Sequence, residues 1–260
     1  MPKIYGKTHI GRRSTNEDRF VADSGWGIAL ITDGMGGPAS GEVAASIVSA
    51  QLVDNLDNDI PLVNAIIAAH EDVQRGAQDG RGKPGMGATI VVAHFRGHDF
   101  ELAWLGDSRA YLWHGELRQL SRDHSRVEQL LATGDITLPE AQQHKSRHLI
   151  THALGHGTLG VDDIPLLHST LYRGQQLLLC SDGLNDVLSG VQIARVMSRK
   201  LNPNEKLAHL VEQAYQSGGS DNITAVIVDA DDDAPDGSSA DLLPAVFIAR
   251  ADGFSQYFKP

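Results

Sequence analysis

The stretch Leu30-Ile31-Thr32-Asp33-Gly34-Met35-Gly36-Gly37 decides how the rest of the chain is read. An apolar strand runs into an aspartate, and glycines then let the backbone turn sharply and approach a ligand closely. A single Asp-Gly pair is an ordinary turn signal. Here the arrangement recurs. Asp107 follows Leu105-Gly106, Asp182 follows the run Leu177-Leu178-Leu179-Cys180-Ser181, and Asp221 precedes an apolar run over 223–228. Aspartates at the junctions of strands and loops are where a rigid scaffold places its chemistry.

Working outward, the spacing predicts strands over 19–22 and 28–32 as a hairpin or adjacent pair. Helices are expected over 41–56, with Val43, Ile47, Ala50, Val53 (or Leu52) and Leu56 inward, and over 62–78, with Leu62, Ala65, Ile66 and Ala69 inward. Residues 76–87 read as an exposed glycine-rich loop. Strands over 89–95, 100–105, 110–113 and 117–120 read as an antiparallel meander because their connections are short. A helix over 126–133 closes at Gly134, and Thr137-Leu138-Pro139-Glu140 opens another. The polar, histidine-rich 142–156 reads as a surface excursion. Strands over 164–170 and 176–181 are joined across Arg173-Gly174. Helices follow over 191–199 and after Asn202-Pro203-Asn204-Glu205, and the last core strand is 223–228. Strands in groups with helices in pairs fit an α+β fold, with sheets packed together and helices outside, better than βαβ alternation. Beyond Asp229 an acidic, Ser/Gly/Pro-containing stretch reads as a linker to a terminal segment over 242–250.

Length and composition narrow the function. A chain of 260 residues that is 41% hydrophobic can fill one large core. Its 22 Lys and Arg against 33 Asp and Glu, a net charge of -11, argue against a nucleic-acid surface. Cys180 is the only cysteine, which rules out an intramolecular disulfide and makes the cytoplasm the expected compartment. No signal peptide or apolar stretch of membrane-spanning length is apparent. Residues 80–85 lack the Gly-Lys-Ser/Thr of a phosphate loop, and no dinucleotide fingerprint follows a strand, so a kinase or dinucleotide enzyme has no support.

Asp18, Asp33, Asp182 and Asp221, if gathered in one place, stay ionised only around a cation. All-oxygen ligands favour Mg²⁺ or Mn²⁺ over zinc. Arg13 offers a fork suited to a phosphate oxygen pair. Together these suggest metal-assisted phosphoryl transfer to water; the competing reading is that each aspartate caps its own turn. Cys180, inside an apolar run, reads as a core residue.

Residues 11–18, Asp33-Gly34-Met35-Gly36-Gly37, Gly87-Ala88-Thr89, Gly106-Asp107-Ser108-Arg109, Ser121-Arg122-Asp123-His124-Ser125, Ala153-Leu154-Gly155, Ser181-Asp182-Gly183-Leu184 and Asp221-Asn222-Ile223-Thr224 resemble, in order, the motifs of the bacterial PP2C-type metal-dependent protein phosphatases. The likeness spans residues 5–229. It implies an α-β-β-α sandwich of two antiparallel sheets, and a catalytic domain over 1–230 with an acidic linker and extension over 231–260. It implies hydrolysis of phosphoserine and phosphothreonine in proteins by a water bridging two Mn²⁺ or Mg²⁺ ions, with a weaker third metal. By position, Asp33 bridges the metals, the Gly34 carbonyl binds one, Asp182 and Asp221 complete the other, and Asp18 acts through a water. Asp107 helps hold the third metal, and Arg13 holds the phosphate. The partners implied are phosphoproteins and a cognate kinase, with a monomer expected.

Two departures from the family pattern stand out. Met35 and Pro38 occupy the loop where many relatives carry a histidine, leaving a metal-bound water, His70 or His124 as the general acid. His152 stands where relatives usually have arginine. The resemblance makes 126–150 a flap beside the active site, with Arg126 and Arg147 on a substrate-selecting surface. His144, His148, His152 and His156 recur every four residues, but Thr151, Gly155 and Gly157 weaken the helix a histidine-metal face would need. An inactive phosphoprotein-binding scaffold and a hydrolase of small phosphoesters are the rival readings.

Overall fold

Side chains alternate along the strands, and that alternation sorts them onto two antiparallel sheets. The computed structural model describes residues 1–37 and 40–237. Pro38 and the segment predicted over 242–250 lie outside the described residues. In the first sheet β1 (Lys3–His9), β11 (Ile223–Asp229), β10 (Gln176–Cys180), β7 (Arg109–Trp113) and β8 (Leu117–Gln119) lie in that order. In the second the order is β2 (Asp18–Asp23), β3 (Ile28–Met35), β5 (Ile90–Arg96), β6 (Asp99–Leu105) and β9 (Leu166–Thr170), and the short β4 (Gly87–Ala88) pairs with the end of β3.

Three apolar layers hold this together. Ile31, Val91, Leu102, Leu177 and Val226 meet between the sheets. On the outside of the second sheet, Leu30, Val92 and Leu105 pack against Val48, Leu52 and Ile66 of α1 (Ser40–Asp57) and α2 (Leu62–Gln78). On the outside of the first, Leu178 and Ile227 pack against Ile193, Leu207 and Leu210 of α6 (Gly190–Met197) and α7 (Pro203–Gln216). The order is helix, sheet, sheet, helix. Each large aliphatic side chain buried this way contributes about 1.5–3 kcal/mol.

Local signals fixed the helix ends. α2 spans the residues its periodicity predicts. The Ser125 hydroxyl accepts from the Glu128 amide at the start of α3 (Arg126–Thr133), and left-handed Gly134 closes it. Thr137 and Glu140 cap α4 (Leu138–Gln142), and Asn202 and Glu205 cap α7 reciprocally.

The structure corrects the sequence reading at several points. The meander is two hairpins on different sheets: β5–β6 belongs to one and β7–β8 to the other. The strands flanking Arg173-Gly174 likewise lie on different sheets. β1 and the one-turn α5 (Asp182–Asn185) were not expected. The buried face of α1 is Ala44, Val48, Leu52 and Leu56, rotated from the predicted one, and Ala50 is exposed. Small residues at 41, 44 and 45 turn toward β3 because the helix lies close against it. The excursion over 142–156 ends in the core, where Leu154 is fully buried and bridges Ala88, and Met86 plugs the glycine-rich loop. Residues 231–237 lie against the domain: Ala234 is buried, and Asp231 bonds His98. No described helix is long and apolar enough to cross a membrane.

Candidate metal centre and active site

One edge of the sandwich collects the aspartates from both sheets. Asp18 opens β2 and stands opposite Asp33 of β3 in the strand register. Asp107 lies in the three-residue link that carries the chain from β6 to β7, and so from one sheet to the other. Asp182 begins α5 directly after β10, and Asp221 lies two residues before β11.

Hydroxyls and amides hold these groups in place. The Ser181 and Thr224 hydroxyls both donate to Asp18 Oδ2, at 2.9 and 2.5 Å, tying the second sheet to the first. Asn222 donates its side-chain amide to the carbonyls of Ile10 and Thr15, and its Oδ1 accepts from the Glu17 amide. That residue therefore moors the 10–17 loop, which carries Arg13. Thr89 bonds the Asp33 backbone through both its amide and its hydroxyl, and the hydroxyl also meets Ser108 beside Asp107. Gly34 permits close packing: a Cβ there would fall 2.0 Å from the Gly41 carbonyl oxygen at the start of α1.

The electrostatics of this edge are those of anions lacking a cation. Burial, then the neighbouring Asp18, Asp182, Asp221 and Asp107, drive the Asp33 carboxyl well above its ordinary range. Burial, then Asp107, Asp186, Asp221 and Asp18, do the same to Asp182. Asp18 is raised to about 6, chiefly by burial against the pull of its two hydroxyl donors. Asp107 is raised to about 7 by burial, then by Asp123 and Asp186. Asp18 and Asp107 are buried, whereas Asp33 and Asp182, though deep among protein atoms, keep part of their surface open.

Among the described residues, Asp18 Oδ1, Asp107 Oδ1 and Asp182 Oδ1 have no hydrogen-bond partner, and neither does Glu17 Oε1. Buried carboxylate oxygens aimed at nothing are costly unless something cationic completes them. The donor set is all oxygen, which fits a hard divalent cation. Among the described residues no three His, Cys, Asp or Glu side chains already converge into a closed metal cage. Instead the carboxylates turn to the partners they have: Asp18 to hydroxyls, and Asp221 to Arg13, whose Nη2 donates to its Oδ2 at 2.6 Å.

The two histidines read as proton donors are engaged elsewhere. His124 Nδ1 accepts from the Gly106 amide at 3.2 Å, and burial followed by the neighbouring His152 lowers it to about 4. His70 Nδ1 accepts from the Gly155 amide, its ring also bonds the Gly157 backbone, and burial lowers its pKa. Both rings clip loops together by accepting a backbone amide at Nδ1. The four spaced histidines do not share a helix face, because α4 stops at Gln142. His144 accepts from the Ser146 amide, His148 meets Asp186 at 2.9 Å, His152 sets its ring at a tilt to His124 with centroids 5.0 Å apart, and His156 reaches the Gly85 carbonyl. Arg126 is exposed at the start of α3, where it donates to Gln129. Arg147 is exposed, donates to His148 and lends positive charge to Asp186.

Sequence reasoning assigned no role to Ser181, Asn222, Thr224, Glu17 or Asp186. The first three adjoin or follow a predicted ligand within the quoted motifs, and that placement was the signal that could have found them.

Comparison with known proteins places this geometry. The sequence profile of the protein phosphatase 2C family matches residues 5–227. The chain is 37% identical over 235 residues to the serine/threonine protein phosphatase PstP of Mycobacterium tuberculosis; the match covers 85% of this chain and 43% of that protein, so the chain spans less than half of its length. It is 32% identical over 241 residues to the serine/threonine phosphatase stp of Listeria monocytogenes, covering 86% of this chain and 94% of that protein. The crystal structure of M. tuberculosis PstP/Ppp superposes with a TM-score of 0.81 at 33% identity, covering 88% of this chain and 99% of that one. The PstP catalytic domain in complex with two manganese ions superposes at 0.77 with 32% identity, covering 88% and 97%.

Proposed function

The chain belongs to the protein phosphatase 2C family, and on that premise we propose that it is a Mn²⁺- or Mg²⁺-dependent phosphatase of phosphoserine and phosphothreonine in proteins. The observation that carries the reading is the gathering of Asp18, Asp33, Asp107, Asp182 and Asp221 along one edge, with three of their carboxylate oxygens lacking a hydrogen-bond partner among the described residues. The similar PstP domain that holds two manganese ions supports the choice of metal.

Asp33, Asp182, Asp221 and the Gly34 carbonyl would hold the two tighter cations, Asp18 would act at longer range, and Asp107 with Asp182 would hold a weaker third. Divalent cations in such a site supply an activated water and neutralise phosphate charge. The chain's own contribution is position. Asn222 fixes the 10–17 loop, so Arg13 presents its guanidinium beside Asp221. Burial opposes its charge, but the Asp221, Glu17 and Asp33 carboxylates raise its pKa, and a protonated fork can grip two phosphate oxygens. Burial lowers the pKa of both His70 and His124, and each Nδ1 already accepts a backbone amide, so water in the site is the proposed donor of the leaving oxygen's proton. Phosphoproteins, among them a cognate kinase, are the proposed partners, and the cytoplasm the proposed compartment.

The test is phosphate release from a phosphothreonine peptide with Mn²⁺ and then with EDTA, for wild type and Asp33→Ala. Release that needs both the metal and Asp33 is expected. Folded wild-type protein that binds the peptide and releases nothing would favour the scaffold reading. Turnover of metabolite phosphoesters with none of phosphopeptides would favour the small-ester hydrolase.

A further inference from the structure

A cavity of about 330 Å³ lies between the flap helix α3 and the body of the domain. It falls within the ~300–1,000 Å³ of ligand pockets. Trp104, Ala132, Thr133, Thr151, His152 and Pro165 give it an apolar interior. Its inner wall includes Asp123 and His124. His124 is bonded to the link that carries Asp107 and Asp123 to the strand that follows it: His124 Nδ1 accepts from Gly106, and Arg109 Nη2 of β7 donates to Asp123 Oδ2 at 2.7 Å. The pocket therefore shares a wall with the aspartate edge. Thr151 and His152 also line a second, smaller concavity that reaches Met35, two residues beyond Asp33. Extended chain leaving the reaction centre past Met35 meets the smaller hollow, the Thr151-His152 ridge and then the larger pocket.

Charge at the mouth narrows the occupant. Arg122 pairs with Glu128, and Arg109 with Asp123, so these groups cancel within the wall. His124 is neutral. Asp162 and Asp163, both exposed at the rim, are left as net negative charge. An apolar hole with an anionic lip fits an apolar side chain with a cation beside it.

We propose that this pocket selects substrates by seating a leucine- or phenylalanine-sized side chain of the phosphoprotein, with a neighbouring lysine or arginine on Asp162. The proposal rests on the phosphatase reading and adds the sequence context it takes. Burying one such side chain corresponds to a preference of about tenfold or more.

The test uses phosphothreonine peptides in which one leucine or phenylalanine, followed by lysine, moves through an alanine background. Hydrolysis with Mn²⁺ and binding by fluorescence anisotropy are measured for wild type, Ala132→Trp and Asp162→Lys. Wild type is expected to favour one register by about tenfold in kcat/KM over the all-alanine peptide. Ala132→Trp fills the hole and should bring that ratio near one, while Asp162→Lys should remove only the part that depends on the lysine. Equal kcat/KM across the series, or a preference that survives Ala132→Trp, overturns the pocket. If wild type hydrolyses neither peptides nor p-nitrophenyl phosphate, the phosphatase reading fails instead, and the anisotropy series alone decides whether the pocket seats the side chain.

Discussion

Replacing Asp107 by Asn should stabilise the metal-free protein, and only above mildly acidic pH. Asp107 is 7% exposed, its Oδ1 has no partner among the described residues, and its pKa rises from 3.8 to about 7. In the unfolded chain the group ionises near its ordinary value; in the folded chain it holds its proton until about pH 7. Between these limits the folded state binds more protons, so stability falls as pH rises and levels off above the folded pKa. At about 1.4 kcal/mol for each pH unit, the full cost is about 4 kcal/mol. Water entry and relaxation of the neighbouring Asp182 and Asp186 reduce it, and ~2 kcal/mol is the expected gain for Asp107→Asn at about pH 8. For a domain this size that is ~4–8 °C in Tm. The lowered pKa of His124 acts in the opposite sense, adding stability as pH rises through about 4 to 6.5. Its causes are burial and His152 rather than Asp107, so it enters both proteins alike. The assay is thermal unfolding in EDTA at about pH 4.5 and about pH 8, then with Mn²⁺. The gain should appear at the higher pH alone and shrink with Mn²⁺, because the wild-type charge then has a cation to meet. An equal shift at both pH values, or a loss at the higher one, would refute the reasoning.

Three further outcomes follow from the same geometry. Gly34→Ala places a methyl 2.0 Å from the Gly41 carbonyl oxygen and must push α1 off β3; urea unfolding should show a loss above ~4 kcal/mol, or no folded protein at all. Arg13→Lys swaps a two-pronged donor for a point charge, and kcat/KM on a phosphopeptide should fall about 10–100-fold with the circular dichroism spectrum retained. Thr224→Val removes the 2.5 Å donor from Asp18, leaving Ser181 alone on that oxygen; titration calorimetry should show weaker Mn²⁺ binding by about 1–3 kcal/mol.

What the sequence made legible was whatever is encoded locally. The ends of α2, α3 and α7 follow from proline, capping side chains and a left-handed glycine within a few residues. The sheet to which each strand belongs is not local. Gly106-Asp107-Ser108 is as short as a hairpin turn, yet Gly106 at φ 115 swings the chain across to the other sheet. β1 escaped because it is an edge strand with one buried residue, Ile4, and so lacks an apolar alternation. The rotated face of α1 was set by the closeness of Gly34 to Gly41, a contact between two elements that periodicity within either one cannot report.

The site divides in the same way. Its aspartates were legible because each lies at or within two residues of a strand end, and a carboxylate there has few structural reasons to recur. The neutral groups were not: Ser181 and Thr224 are common residues in common places until the sheets stack and both hydroxyls land on Asp18. That contact has a consequence for the whole molecule. The sheets are joined at this edge through a carboxyl whose charged form the two hydroxyl donors favour but burial disfavours more, so the folded state is penalised when Asp18 ionises without a counter-charge. A divalent cation at the edge would therefore do two things at once, preparing the chemistry and fastening one sheet to the other. Metal occupancy and stability of the sandwich are then a single linked equilibrium, in which tighter metal binding and higher Tm rise together.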